Sequence, residues 1–252
     1  MSGHNKWSTI KRKKGAADAK RGQLFTRLAR EIVIAAREGS SDLDSNFKLR
    51  LAVDRARREN MPKENIERAI KRGTGDDKDG VQIERITYEG YVSNGVAVLV
   101  DCLTENRNRT IAEIRHVLTR TGGSMAEVGS VSWQFKHLCY FSIPAEGVNF
   151  DKVFEVAVEN GADDVTNDGE YIEIFGPVDS FKDLSDALKA AGFEPDEAGL
   201  RYTPKQEIAL DTDKTVKVMN AIEALEDLDD VQDVYSNLEI SEEALASMEE
   251  EM

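Results

Sequence analysis

Cysteine occurs twice in the 252 residues, histidine three times and tryptophan twice. Two thiols cannot build the disulfide framework of a small secreted domain. Cys102 and Cys139 both lie in apolar, strand-like segments, so the expectation is a pair of buried thiols in a reducing compartment. His4, His116 and His137 are scattered, and neither cysteine has a Cys or His neighbour at metal spacing, so no metal site is expected. Long apolar runs are also lacking. Stretches such as Ile32 to Ala36 and Val96 to Val100 fall far below the roughly 18–20 residues that span a bilayer, and no membrane partner is expected. The basic N-terminus is not followed by an apolar h-region, so a secretory signal is not expected. A basic targeting peptide is the lesser alternative, because the basic segment runs directly into a patterned helix.

Signatures of catalysis are missing as well. There is no Gly-x-x-x-x-Gly-Lys-Ser/Thr phosphate loop, no Gly-x-Gly-x-x-Gly after a strand and no Gly-x-Ser-x-Gly elbow. Arg72-Gly-Thr-Gly75 follows a helix and reads as cap and linker. Asp163, Asp164 and Asp168 could hold a cation, but they read better as surface turn residues. Carboxylates are too common to nominate an acid–base pair. No enzyme, cofactor or small-molecule substrate is therefore expected.

Charge is what the chain has in abundance, and it is unevenly placed. The net charge is −15. Residues 1–75 hold 19 Lys and Arg against 9 Asp and Glu, whereas residues 76–252 hold 14 against 39. A global pI of about 4.8 argues against nucleic acid, but the split argues for a basic module on acidic ones.

The basic end opens with an arm over residues 1–20, which lacks a helical period. It carries Lys6, Lys11, Arg12, Lys13, Lys14 and Lys20, with Trp7 as its aromatic residue; Arg21, Arg27 and Arg30 follow. Residues 22–38 have helical periodicity, with Leu24, Phe25, Leu28, Ile32 and Ala35 on one face. Arg27, Arg30 and Arg37 fall on the opposite face, which is expected to carry the arm's charge onward. Gly39 stops this helix. A second helix is predicted from about Ser45 to Glu59. A third follows Pro62 and ends at Gly73, with Ile66, Ala69 and Ile70 inward.

The polar stretch from Thr74 to Gly80 reads as a linker. A hairpin then joins Ile83–Val92 to Val96–Leu103 through Ser93-Asn94-Gly95. A helix spans Asn106 to Arg120, and Val131 to Phe135 alternates like a strand. Leu138 to Thr203 reads β-α-β-β-α-β, for which a ferredoxin-like sandwich is the natural arrangement. Ser180 and Asp183 form a plausible cap pair in its second helix. Glu207–Leu210, a helix over Thr212–Asp227 and a strand over Asp233–Leu238 complete the earlier hairpin unit. The expected architecture is thus α+β and multidomain. A basic arm and three-helix domain occupy 1–75, and an α/β domain takes 81–135 with 206–240. An inserted ferredoxin-like domain takes 136–205, and 241–252 form a frayed acidic tail.

The arm is the strongest functional signal. Lys and Arg on a backbone that can track a groove neutralise phosphates and release counterions. Small residues between the cations permit close approach, and Trp7 could stack on an exposed base. The bland alternative is a solvated basic tail. Arg107 and Arg109 sit in the first turn of a helix, where cations oppose the dipole. Either they hold a phosphate together with the helix start, or they pair with Asp101, Glu105 or Glu113.

Several stretches resemble the YebC/PmpR family, which includes the mitochondrial translational activator of cytochrome c oxidase. They are Gly3-His4-Asn5-Lys6-Trp7-Ser8-Thr9-Ile10-Lys11, Lys20-Arg21-Gly22-Gln23-Leu24-Phe25, the run from Asn60 to Ile70, Asn106-Arg107-Asn108-Arg109-Thr110 and Gly129 to Phe135. Asn5 departs from the pattern, which has Ser there. The resemblance implies a helical N-terminal domain and two α/β domains. It also implies a cytoplasmic, non-enzymatic regulator that associates with nucleic acid, either promoter DNA or ribosomal RNA on the ribosome. A translation role would aid elongation through difficult, proline-rich stretches. The different-class alternatives are a protein-interaction scaffold and an enzyme using the α/β clefts.

Overall fold

The computed structural model describes residues 18–43, 45–75 and 83–250. Within these, packing divides the chain into two compact units: residues up to Gln134 together with those from Gln206 onward, and Phe135–Lys205.

Three helices open the first unit: α1 (Asp18–Glu38), α2 (Phe47–Arg58) and α3 (Lys63–Gly73). Their apolar stripes meet in one core built on Leu28, Ile32, Leu49, Val53, Ile66 and Ala69, which also takes in Ile83 and Leu103. The junction of α1 and α2 depends on Asn46. Its side-chain oxygen accepts the Leu49 N–H at 3.1 Å, and its amide donates to the carbonyls of Ala35 and Ser40 at 2.8 and 2.7 Å. One side chain therefore satisfies orphan groups at the end of one helix and the start of the next. Gly73 does not stop α3, as its position suggests; it lies within the last turn, and Thr74 is the cap. A Cβ at Gly73 would sit 2.5 Å from the Val33 carbonyl oxygen, so glycine is required for α3 to approach α1.

The rest of this unit is a sheet with helices. Strands β1 (Glu84–Tyr91) and β2 (Ala97–Thr104) form the predicted hairpin, with Asn94 and Gly95 at positive φ in its turn. Helix α4 (Arg107–Arg120) and the two-residue β3 (Ser124–Met125) follow. Later come α7 (Thr212–Glu226), β8 (Val231–Ser236) and α8 (Glu242–Glu250). The strand order is β3-β1-β2-β8, and each neighbouring pair is antiparallel. Val98, Val100, Ile114, Leu118, Val218 and Ile222 share its core.

Three expectations change here. Residues 132–134 form a single 3-10 turn rather than a strand. Glu207–Leu210 contributes one bridge, Ile208 to Leu238, instead of a strand. The acidic tail is not frayed over 242–250, because α8 buries Ala244 and Leu245, the latter in the core of this unit.

The second unit runs β4 (Phe135–Pro144), α5 (Phe150–Glu159), β5 (Asp164–Asn167), β6 (Tyr171–Pro177), α6 (Phe181–Ala190) and β7 (Glu197–Pro204). Its antiparallel sheet has the order β5-β6-β4-β7, which is the ferredoxin-like arrangement expected of a βαββαβ chain. The Phe141 ring meets Phe181 at 4.5 Å, fixing α6 against the sheet. Gly161 and Gly192, at φ +92° and +83°, close α5 and α6 with Schellman-type bonds from Ala162 to Ala157 and from Phe193 to Leu188. Ser180 makes no side-chain cap bond, because a 3-10 turn over 178–180 feeds directly into α6.

Candidate nucleic-acid interface

Helix α1 aligns the cationic residues nearest the arm. Arg21 is exposed, with its guanidinium 5.5 Å from the Phe25 ring centre. Arg27 and Arg30 were expected on a solvated face, but both are half-buried against the segment between α7 and β8. Arg27 donates to the Glu226 carbonyl at 2.9 Å, at the C-terminal end of α7, where a cation complements the helix dipole. Arg30 donates to the Asp229 carbonyl at 2.7 Å and to the Asp230 carboxylate at 3.0 Å. Arg37 donates to the Ile83 carbonyl at 3.2 Å. The apolar period was read correctly. What diverted Arg27 and Arg30 is a partner segment some 200 positions later in the chain, and Arg37 is drawn to Ile83, 46 positions on.

Asp230 is the centre of this arrangement. Its side chain is 1 % exposed, and both of its oxygens receive Arg109 Nη2, at 2.8 and 2.7 Å. Thr104 Oγ1 lies 3.0 Å and Thr110 Oγ1 2.7 Å from the same carboxylate, and the Leu103 N–H donates to the Asp230 carbonyl at 2.8 Å. Burial by itself would raise the pKa of this carboxyl. Bonds from Arg109, Thr110 and Thr104, with the charge of Arg30, outweigh it and hold the group below its ordinary value. Arg109 rises above its ordinary value in turn, first through its bond to Asp230. The carboxylate thus ties α1, the end of β2, the start of α4 and the approach to β8 into one frame.

The first turn of α4 is assembled locally. Asn106 caps it by accepting the Arg109 N–H at 3.1 Å, and Thr104 Oγ1 accepts the Asn106 N–H at 2.9 Å. The expected ion-pair partners Asp101, Glu105 and Glu113 are not the ones used. Arg109 takes Asp230, and Arg107 takes Glu84 through Nε at 2.6 Å and through Nη2. The Arg107 side chain is 67 % exposed.

Lys6, Trp7, Lys11, Arg12, Lys13 and Lys14 lie outside the described residues, as does the Lys20 side chain. The structure therefore relates Arg27, Arg30 and Arg109 through one acidic segment, with Arg107 beside them on α4. Asp230 was missed because it sits among Asp227, Asp229 and Asp233 with no local mark. Only the fold brings two arginines and two threonines to it.

Glu89 was missed for the same reason. Its carboxylate accepts the N–H groups of Gly129, Val131 and Ser132 at 2.7, 2.6 and 2.8 Å. Burial opposes its ionisation, but these bonds prevail and lower its pKa. They also turn the backbone at 129–132, which explains why the strand expected at 131–135 starts only at Phe135. Burial pushes both thiols up, that of Cys139 to about 11, so both are inert at neutral pH. Among the described residues, no group of His, Cys, Asp and Glu is gathered for a metal, and no helix is long and apolar enough to cross a membrane.

Family models match almost the whole chain. That of the TACO1/YebC protein N-terminal domain covers residues 5–76, and that of the TACO1/YebC second and third domain covers 83–238. The chain belongs to the TACO1/YebC family. Similar TACO1/YebC proteins include one named "probable transcriptional regulatory protein" from Geobacter sulfurreducens, 50 % identical over 98 % of this chain and 100 % of its own length. Another with the same description, from Geotalea uraniireducens, is 49 % identical with the same coverage of both chains. Among solved structures, a conserved hypothetical protein from Aquifex aeolicus matches with a TM-score of 0.81 at 41 % identity, covering 89 % of this chain and 93 % of that one. The second TACO1/YebC match spans both sheets, so the ferredoxin-like unit is part of the family's common architecture.

Proposed function

We propose that this chain is a nucleic-acid-binding regulator of gene expression that acts on the ribosome, with structured ribosomal RNA as its target. The observation that carries the reading is the segregation of charge. The first 75 residues hold 19 cations against 9 acids in a chain of net charge −15. Lys6, Lys11, Arg12, Lys13, Lys14, Lys20 and Arg21 neutralise phosphates, and Trp7 stacks on an unpaired base. Arg107, paired with Glu84 but with its side chain still 67 % exposed, is the α4 cation open to the same ligand. Arg27, Arg30 and Arg109 serve it as positioning residues, because their guanidinium groups are engaged on Glu226, Asp229 and Asp230.

RNA is favoured over a duplex groove by the outer side of α3. There Glu64 and Glu67 alternate with Lys63, Arg68 and Lys71, all exposed. A helix inserted into a major groove would bring those carboxylates against phosphates. Closely spaced cations with small residues between them, as at 1–20, need no such helix to reach the phosphates of structured RNA. The second reading is a DNA-binding transcriptional regulator, supported by the names of the bacterial relatives. No catalytic step belongs to either reading, and both place the protein in the cytoplasm.

Sedimentation of a lysate through sucrose at low and high salt, with sequencing of crosslinked nucleic acid, separates the two. The expected result is salt-sensitive co-sedimentation with ribosomes and crosslinks to ribosomal RNA, both lost in the K11A/R12A/K13A/K14A variant. Crosslinks to promoter fragments without ribosomes would replace this reading with the transcriptional one.

A further inference from the structure

The ferredoxin-like unit carries six Lys and Arg against fifteen Asp and Glu, a net charge of −9. Its helix α5 shows an unusual outer surface. Val153 and Ala157 face the core and are fully buried. Phe154 and Val158 nevertheless stand 46 % and 48 % exposed. With half-buried Phe150, whose ring lies 6.0 Å from that of Phe154, they form an i, i+4, i+8 ridge along the helix. At about 100° per residue, exposed Asp151, Glu155 and Glu159 form a second stripe directly beside this ridge. Beyond Val158 the surface opens into a concavity of about 550 Å³ lined by Glu159, Asn160, Gly161, Ser180, Asp183 and Asp186.

We propose that this ridge and its acidic border are a docking surface for a basic amphipathic helix of a partner protein. The ridge rises about 12 Å from Phe150 to Val158, which matches two to three turns of a helix with apolar residues every three or four positions. The carboxylate stripe and the acidic concavity select Lys and Arg on the flanks of that helix. The same carboxylates repel phosphates, so nucleic acid does not fit here. A two-fold pairing with a second copy would set one acidic stripe against the other, which disfavours self-association. The unit thereby supplies a protein contact, separate from the nucleic-acid role proposed for residues 1–75.

Fluorescence anisotropy on the full chain tests this. The probe is a dye-labelled 16-residue peptide with Leu at i, i+3, i+4 and i+7 repeats and Lys or Arg elsewhere. Saturable binding is expected, weakened at least tenfold by F154S/V158S and at least threefold by D151N/E155Q. A scrambled peptide of the same composition should bind at least fivefold more weakly, and a Glu-for-Lys counterpart should not bind. All four substituted side chains are exposed, and circular dichroism verifies that the variants keep the fold. The proposal is overturned if no saturable binding occurs, if scrambling has no effect, or if F154S/V158S binds like the wild type. It is also overturned if sedimentation equilibrium reveals a dimer that F154S/V158S dissolves, or if that variant loses RNA binding instead.

Discussion

The first 75 residues and the inserted unit at 135–205 are similar in length and opposite in charge, +10 against −9. Both bury ordinary apolar cores and both carry many ionised side chains, but the chain uses the charges differently. In the basic region, Arg27, Arg30 and Arg37 are built into the frame through carbonyls and a buried carboxylate. In the inserted unit, Asp151, Glu155 and Glu159 stand exposed on one helix as a continuous stripe. The net charge of −15 describes neither region. The difference teaches that a cation's place along a helix does not decide its task. Its partner in space does.

The largest way to break this comparison is to neutralise the arm. In the K11A/R12A/K13A/K14A variant, RNA affinity near physiological salt should fall about 100-fold, because roughly four phosphate contacts and their released counterions are lost. Filter binding measures it. A drop of less than threefold would mean that the arm is a solvated tail.

The next effect is on stability and concerns the frame that holds the basic region. Asp230→Ala leaves Arg30, Arg109 and two threonine hydroxyls without their shared acceptor, and should cost about 3–5 kcal/mol in urea unfolding. Since the Asp230 pKa is depressed, its stabilisation is present above the ordinary carboxylate range and is lost as pH falls through the folded value.

Asp101 supplies the opposite sign in the same sheet. Burial raises it to about 6; Arg85 and a bond from Thr87 only partly compensate, and Asp233 adds repulsion. A raised carboxyl favours the fold at low pH, and that contribution is lost as pH rises through 6. Asp101→Asn should therefore stabilise the protein by about 2 kcal/mol at pH 7 and abolish the gain in stability between pH 7 and 5. Denaturant midpoints at the two pH values check this. A destabilised variant at pH 7 would mean that the Arg85 pair outweighs burial.

The smallest effect sharpens the contrast from the other side. Neutralising four acids of the inserted unit in D151N/E155Q/D183N/D186N should change RNA affinity less than twofold. A larger gain would show that the acidic unit restrains the basic one.

Much of the fold was legible because local periodicity and long-range packing agree. The apolar stripes of α1 and α3, the Asn94-Gly95 turn and the βαββαβ order with glycine-closed helices all follow from short-range patterns. What was not legible depends on partners far away in the chain. Glu89 turns residues 129–132 across a separation of some 40 positions and delays β4. Asp230 gathers Arg30 and Arg109 from separations of 200 and 121 positions. Helix α8 was hidden by its acidic composition, which masks the buried pair Ala244 and Leu245. For the candidate site, the excess of cations was visible, but the engagement of Arg27, Arg30 and Arg109 by carbonyls and a buried carboxylate was not.

The central claim is that phosphate binding resides in the basic first 75 residues. The most direct test is the slope of log Kobs against log salt for a ribosomal RNA fragment, measured for the wild type and K11A/R12A/K13A/K14A. The account predicts a slope shallower by about 2–4 in the variant, since each lost phosphate contact removes roughly 0.7–0.9. Equal slopes for the two proteins would contradict it.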